Sequence, residues 1–174
     1  MLELIINDMK RKLIISALLL LCSVFTFAQQ SDTLRTERKV NYMALVLDSL
    51  STERLKSFAL EKMPWSDNKV YCHHMTIAHY TNLTDSIASW VREHESQTFT
   101  IQAIEYGYSD KAFAVKVDPN GIPSANTLTH VTMATNNATG GKAVDSNYIT
   151  SWTSMPSPIT LTGKVEIIYF DARK

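Results

Sequence analysis

His74-Met75-Thr76-Ile77-Ala78 and His130-Val131-Thr132-Met133-Ala134 spell one pattern twice: His, apolar, Thr, apolar, Ala. The rest of the chain reads as scaffold that brings the two copies face to face. Residues two apart on a β-strand point the same way, so His74, Thr76 and Ala78 share one face while Met75 and Ile77 share the other. The apolar face suits packing on a core, as do Val131 and Met133 in the second copy. An imidazole takes or gives a proton near neutral pH, a hydroxyl donates a hydrogen bond, and an alanine leaves room for a ligand. Two such sets make a clamp with an acid and a base. The plainer alternative is two core strands that each bury a histidine, although an inward face has little use for His and Thr together.

The chain has 174 residues, 45% hydrophobic and 20% charged, with 5 Gly and 5 Pro, which suits one ordinary globular domain with a sizeable core. Formal net charge is +0. Proteins that grip duplex nucleic acid usually carry a basic stripe, and no such stripe is visible here, so a short oligonucleotide end or a nucleotide is the nucleic-acid partner still open.

Lys10-Arg11-Lys12, the apolar run 13–27 and Ala28-Gln29-Gln30 read as a secretory signal peptide over residues 1–28. Its removal takes three basic and two acidic residues with it, leaving 14 against 15. The run is short for a spanning helix, so the expectation is an exported protein, periplasmic or secreted, with no stable membrane span after processing. Residues 29–39 are polar without period and read as a flexible leader. Cys72 is then the only cysteine left, which excludes an intramolecular disulfide. It shares the parity of His74, so a thiol–imidazole pair stands beside the reading as a small buried hydrophobe.

The ordered domain is expected over 40–174. Tyr42-Met43-Ala44-Leu45-Val46-Leu47 reads as a buried strand, and a helix capped by Ser51 carries Leu55, Phe58, Ala59 and Met63 on one side until Pro64. One strand is expected over 69–80. On it His73 and His79 fall opposite His74, so the three histidines do not converge as metal ligands unless a bulge intervenes; no metal and no cofactor are expected. Tyr80 shares the face of His74 and can flank a base or ribose, or simply fill the core.

A second helix starts at Thr84 or Asp85, with Ile87, Trp90, Val91 and His94 on one face. Strands 99–108 and 112–117 then form a hairpin. Asn136-Asn137-Ala138-Thr139-Gly140-Gly141-Lys142 is a polar, glycine-rich loop that either lies over the cleft, offering Lys142 to a phosphate, or is a mobile surface loop. A short helix is expected around 144–152, broken by Pro156 and Pro158, before strand 159–170. This order argues for an α+β domain.

The paired His74-Met75-Thr76 and His130-Val131-Thr132 tripeptides resemble those of the two-histidine (2H) phosphoesterases, which include RNA ligase-like cyclic phosphodiesterases and the phosphodiesterase domain of fungal-type tRNA ligases. The resemblance covers roughly residues 40–170 and outside the motifs is one of pattern. It implies a bilobal α+β fold in which two antiparallel sheets with outer helices are related by a rough pseudo-two-fold around a central cleft. It also implies a monomeric, metal-independent phosphodiesterase acting on a 2′,3′-cyclic phosphate end of RNA or a cyclic nucleotide. His130 would be the base, His74 the acid, and Thr76 and Thr132 the holders of the phosphoryl oxygens. Phosphodiesters of another linkage, such as 2′,5′-oligonucleotides, would suit the same residues, and a non-catalytic exported nucleotide binder is the reading from a different class. Residues 122–129 are short for the helix that many members carry before the second motif.

Overall fold

The apolar run that opens the domain is strand β1, Val40–Leu47, with Met43, Ala44 and Leu45 all buried, as a strand covered on both faces requires. The structure is a computed structural model describing residues 39–170; the expected signal peptide, and the leader apart from Lys39, lie outside the described residues. Within them Val40–Tyr169 is the unit that carries the fold.

Asp48, not Ser51, caps helix α1 (Ser49–Lys62), its carboxylate accepting from the Ser51 N–H at 2.7 Å. Ser51 is buried and its hydroxyl accepts the Thr162 N–H at 2.8 Å, tying the helix to the last strand. Strands β2 (Asn68–Val70) and β3 (His74–His79) follow, then helix α2 (Asp85–His94) with its expected Thr84 cap and buried Ile87, Ala88 and Val91. The hairpin is β4 (Thr98–Tyr108) and β5 (Ala112–Asp118); β6 (His130–Asn136) carries the second motif and β7 (Trp152–Tyr169) closes the chain.

These strands do not form two sheets in a bilobal α+β domain, which corrects that expectation. They form one antiparallel sheet in the order β2-β6-β3-β1-β7-β4-β5, and β5 pairs again with β6, so six strands close into a barrel with β2 added. The reason is that β6 is paired on both edges, by β5 on one and by β3 and β2 on the other. Closure removes the free edges that two separate sheets would leave.

Three local expectations also change. The single strand over 69–80 is broken at Tyr71–His73, where Cys72 takes a left-handed φ of 56°. The helix around 144–152 is a 3-10 turn, Ala143–Tyr148. Pro156 and Pro158 interrupt no strand: Ala103 pairs with Ile159 and Glu105 with Ser154, so residues 155–158 loop out of the β4–β7 ladder and their missing N–H groups go unasked.

Replacing Ser51 with Ala leaves the Thr162 N–H without its acceptor beneath α1. The expected outcome is a loss of about 1–3 kcal/mol in unfolding free energy, read from urea denaturation; an unchanged midpoint would show that the helix is held by packing alone.

Candidate functional site

Antiparallel register does the placing. Met75 of β3 pairs with Val131 of β6, and around that pair each strand runs against the other. His74 is therefore set beside Thr132 and Thr76 beside His130, with the two histidines on a diagonal, about 7–8 Å apart at the backbone. All four side chains line one cavity of about 290 Å³, together with Tyr71, His79, Asn126, Ala143, Val144 and Asn147. Met75 and Val131 turn the other way and are fully buried.

Each motif carries a bulge at the same place. Ala44 pairs with Thr76 and Met43 with Ala78, so Ile77 is the extra residue; Ala114 pairs with Thr132 and Phe113 with Ala134, so Met133 is extra. A bulge reverses the alternation of faces beyond it. Ala78 and Ala134, expected to face the ligand, are instead buried in the core. His79, expected on the opposite face from His74, comes round to line the cavity. The carbonyl of bulged Ile77 is taken by the Ala125 N–H at 2.8 Å, and Ser124 reaches the Thr76 carbonyl at 3.4 Å, so the helix-free segment before β6 becomes a wall carrying Asn126.

The two imidazoles are held differently. His130 donates from Nδ1 to the Leu128 carbonyl at 2.9 Å; a carbonyl can only accept, which leaves Nε2 as the unprotonated nitrogen of the neutral ring. His74 stacks on Tyr42 of β1, with ring centroids 5.1 Å apart, and its Nδ1 is hydrogen bonded to Nδ1 of His73. Burial pushes the His74 pKa down to about 4, with His73 and His130 adding to the effect. Burial also lowers that of His130, opposed by its bond to Leu128. Both rings are thus neutral at pH 7. A bound anion would favour their protonation.

Thr132 donates to the Ser146 hydroxyl at 3.0 Å and lies 3.4 Å from the Ala143 carbonyl, which ties the 3-10 turn to β6. The glycine-rich loop before that turn is pinned to the β4–β5 hairpin rather than mobile. Asn136 and Thr139 donate to the Asp110 carbonyl at 2.9 and 3.0 Å, and Gly141 lies so near the Lys111 carbonyl that a Cβ there would stand 2.2 Å from it.

Two proposed ligand contacts lie off the cavity: Tyr80 is exposed beyond the end of β3, against His79, and Lys142 is exposed at the start of the 3-10 turn. Cys72 is excluded as a nucleophile. Its thiol is buried away from the cavity against the Met133 carbonyl at 3.5 Å, and burial pushes its pKa up to about 12. Among the described residues no three His, Cys, Asp or Glu side chains gather as a metal site. Sequence reasoning missed Tyr42, Tyr71, His79, Asn126 and Asn147. Parity on the expected strand would have turned Tyr71 away from His74, and the kink at Cys72 reverses that; His79, Asn126 and Asn147 depend on bulge and loop geometry.

No family model and no curated protein matches the sequence. Among solved structures the chain is similar to a fungal RNA kinase, with a TM-score of 0.56 at 11% identity over 76% of this chain and 46% of that one. The chain therefore spans less than half the length of that protein, and the likeness establishes a shared fold.

The depressed His74 pKa sets a pH dependence of stability. The unfolded imidazole takes up a proton near 6.5, whereas the folded one does so only near 4, so stability is complete above pH 6.5 and is lost as pH falls towards 4. The loss from this residue amounts to up to about 3 kcal/mol. Urea midpoints at pH 7 and 4.5 should lie closer together in His74→Asn than in the parent; equal separations would refute the depression.

Proposed function

We propose that the chain is a metal-independent phosphodiesterase that hydrolyses 2′,3′-cyclic phosphate ends of RNA or cyclic nucleotides by paired-histidine acid–base catalysis. The observation that carries this reading is the convergence of His74, Thr76, His130 and Thr132 on one cavity through the Met75–Val131 pair. A phosphate over that pair has an imidazole at each end of the histidine diagonal, which suits an in-line displacement. His130, neutral with Nε2 free, takes a proton from water as the water oxygen bonds to phosphorus. His74, protonated, gives its proton to the ribose oxygen as the phosphorus–oxygen bond to it breaks. Thr76, whose hydroxyl carries no hydrogen bond among the described residues, donates to a phosphoryl oxygen; Thr132 does so on turning from Ser146.

Charge supports a diester. The cavity lining carries no Lys, Arg, Asp or Glu, so one imidazolium meets one negative charge of a cyclic phosphate, and a monoester product with nearly two fits less well. The shared fold with a protein described as an RNA kinase is compatible with an RNA end as the natural substrate.

The test is turnover of 2′,3′-cyclic mononucleotides by the purified protein in chelator, with 2′,5′-linked dinucleotides alongside. His74→Ala and His130→Ala should each lower kcat by about a hundredfold or more while remaining folded. Wild-type kcat/KM should follow a bell with its optimum below pH 7, because both imidazoles are depressed in the free protein. Tight binding without turnover would instead identify a binder, and loss of activity in chelator a metal hydrolase.

Residues 1–28 support export, with Gln29 as the first residue of the processed chain. Mass spectrometry of the exported protein should find Gln29 or its pyroglutamate at the N-terminus; an intact Met1 would overturn this.

A further inference from the structure

Consecutive residues of a strand point to opposite faces, yet the rings of His73 and His74 lie 4.3 Å apart and only 29° from parallel. The kink at Cys72 makes this possible, since its left-handed φ ends the strand geometry before His73. The His73 backbone is then fixed by its carbonyl, which accepts the Leu47 N–H of β1 at 2.8 Å. Nδ1 of His73 meets Nδ1 of His74, and a hydrogen bond between two ring nitrogens holds a single proton.

Across the cavity the equivalent place beside His130 is taken by the Leu128 carbonyl. We propose that His73 is a positioning residue for His74: its ring nitrogen accepts the Nδ1–H of His74, as the Leu128 carbonyl does for His130, and so reserves Nε2 of His74 for the substrate. The proposal rests on the reading of His74 as the working acid. An imidazolium at His74 carries both N–H groups, so its Nδ1–H needs an acceptor that is itself unprotonated. His73 meets that need as the neutral ring with its proton on Nε2. After His74 has given its Nε2 proton to the leaving oxygen, the Nδ1–H bond to His73 is unchanged and the ring does not have to turn.

A carbonyl stays an acceptor at every pH, but an imidazole does not. When His73 takes a proton, two N–H groups oppose one another and the pair is lost. The other titratable groups facing His74 are Tyr42, stacked on it from β1, His130 on the diagonal from β6, and Tyr71 and His79 of the cavity lining. Of these Tyr42 is held neutral by burial, and His130 already has its fixed partner. Burial lowers the His73 pKa, so the acceptor persists through neutral pH and fails on the acid side.

The test separates this pair from the activity. Long-range nitrogen–proton NMR at pH 8 reads the tautomers directly: His74 should be the Nδ1–H form and His73 the Nε2–H form. His73→Asn, whose amide oxygen accepts at any pH, should keep the His74 tautomer, keep kcat within about threefold at pH 7, and move the acid limb of kcat/KM to lower pH. His73→Leu should lose the tautomer preference and about tenfold in kcat with KM little changed. An Nε2–H form of His74 in the parent protein overturns the proposal, as does an unaltered pH profile in both variants. Correct tautomers in a protein without cyclic phosphodiesterase turnover uphold the pair and overturn the function assigned to it.

Discussion

The pairing of Met75 with Val131 is the constraint on which the site depends. It is the one residue pair joining β3 to β6, and antiparallel geometry around it fixes where His74, Thr76, His130 and Thr132 stand. A slip of one residue would invert one strand against the other, turning its histidine into the core and putting its Met75 or Val131 in the cavity. One hydrogen-bonded pair is a short seam. Register is secured from outside, by β1 on the far edge of β3, by β5 on the far edge of β6, and by the chain before β3, whose Tyr71 and Cys72 N–H groups bond to the Met133 and Thr132 carbonyls. The barrel is therefore the means of keeping a narrow seam in register.

The bulges at Ile77 and Met133 limit how far each strand serves the cavity. Up to the threonine, alternate residues face the ligand; past it, Ala78 and Ala134 are redirected into the core and His79 is brought back. Small side chains at those two positions fit the fully buried surroundings they meet there. The repeated alanine thus belongs to packing, although its offset from the histidine is what makes the motif look functional.

Much of the site was legible because it is written in short-range alternation: His74, Thr76, His130 and Thr132 share a cavity as their spacing requires. Strand β1, the β4–β5 hairpin and helices α1 and α2 were legible too, from apolar runs and apolar helix faces. What was not legible depends on partners. Whether strands belong to one sheet or two turns on which edges of β6 are paired, and sequence alternation carries no information about edges. The left-handed turn at Cys72 gives no signal either, since no Gly or Asn marks it, and it decides both the break before β3 and the company His74 keeps. Pro156 and Pro158 looked like a strand boundary because an unpaired excursion from a ladder reads the same way.

The pinning of the chain between Asn136 and Ser146 has a consequence for recognition kinetics. This stretch forms one wall of the cavity, and the protein's own Asp110 and Thr132 hold it by hydrogen bonds. Its conformational entropy has been surrendered at folding rather than at encounter. Association then need not wait for loop closure, and the free and occupied backbones should differ little. Selectivity in such a cavity comes from the fit of a rigid mould, and discrimination between competing ligands should be expressed in how fast they leave.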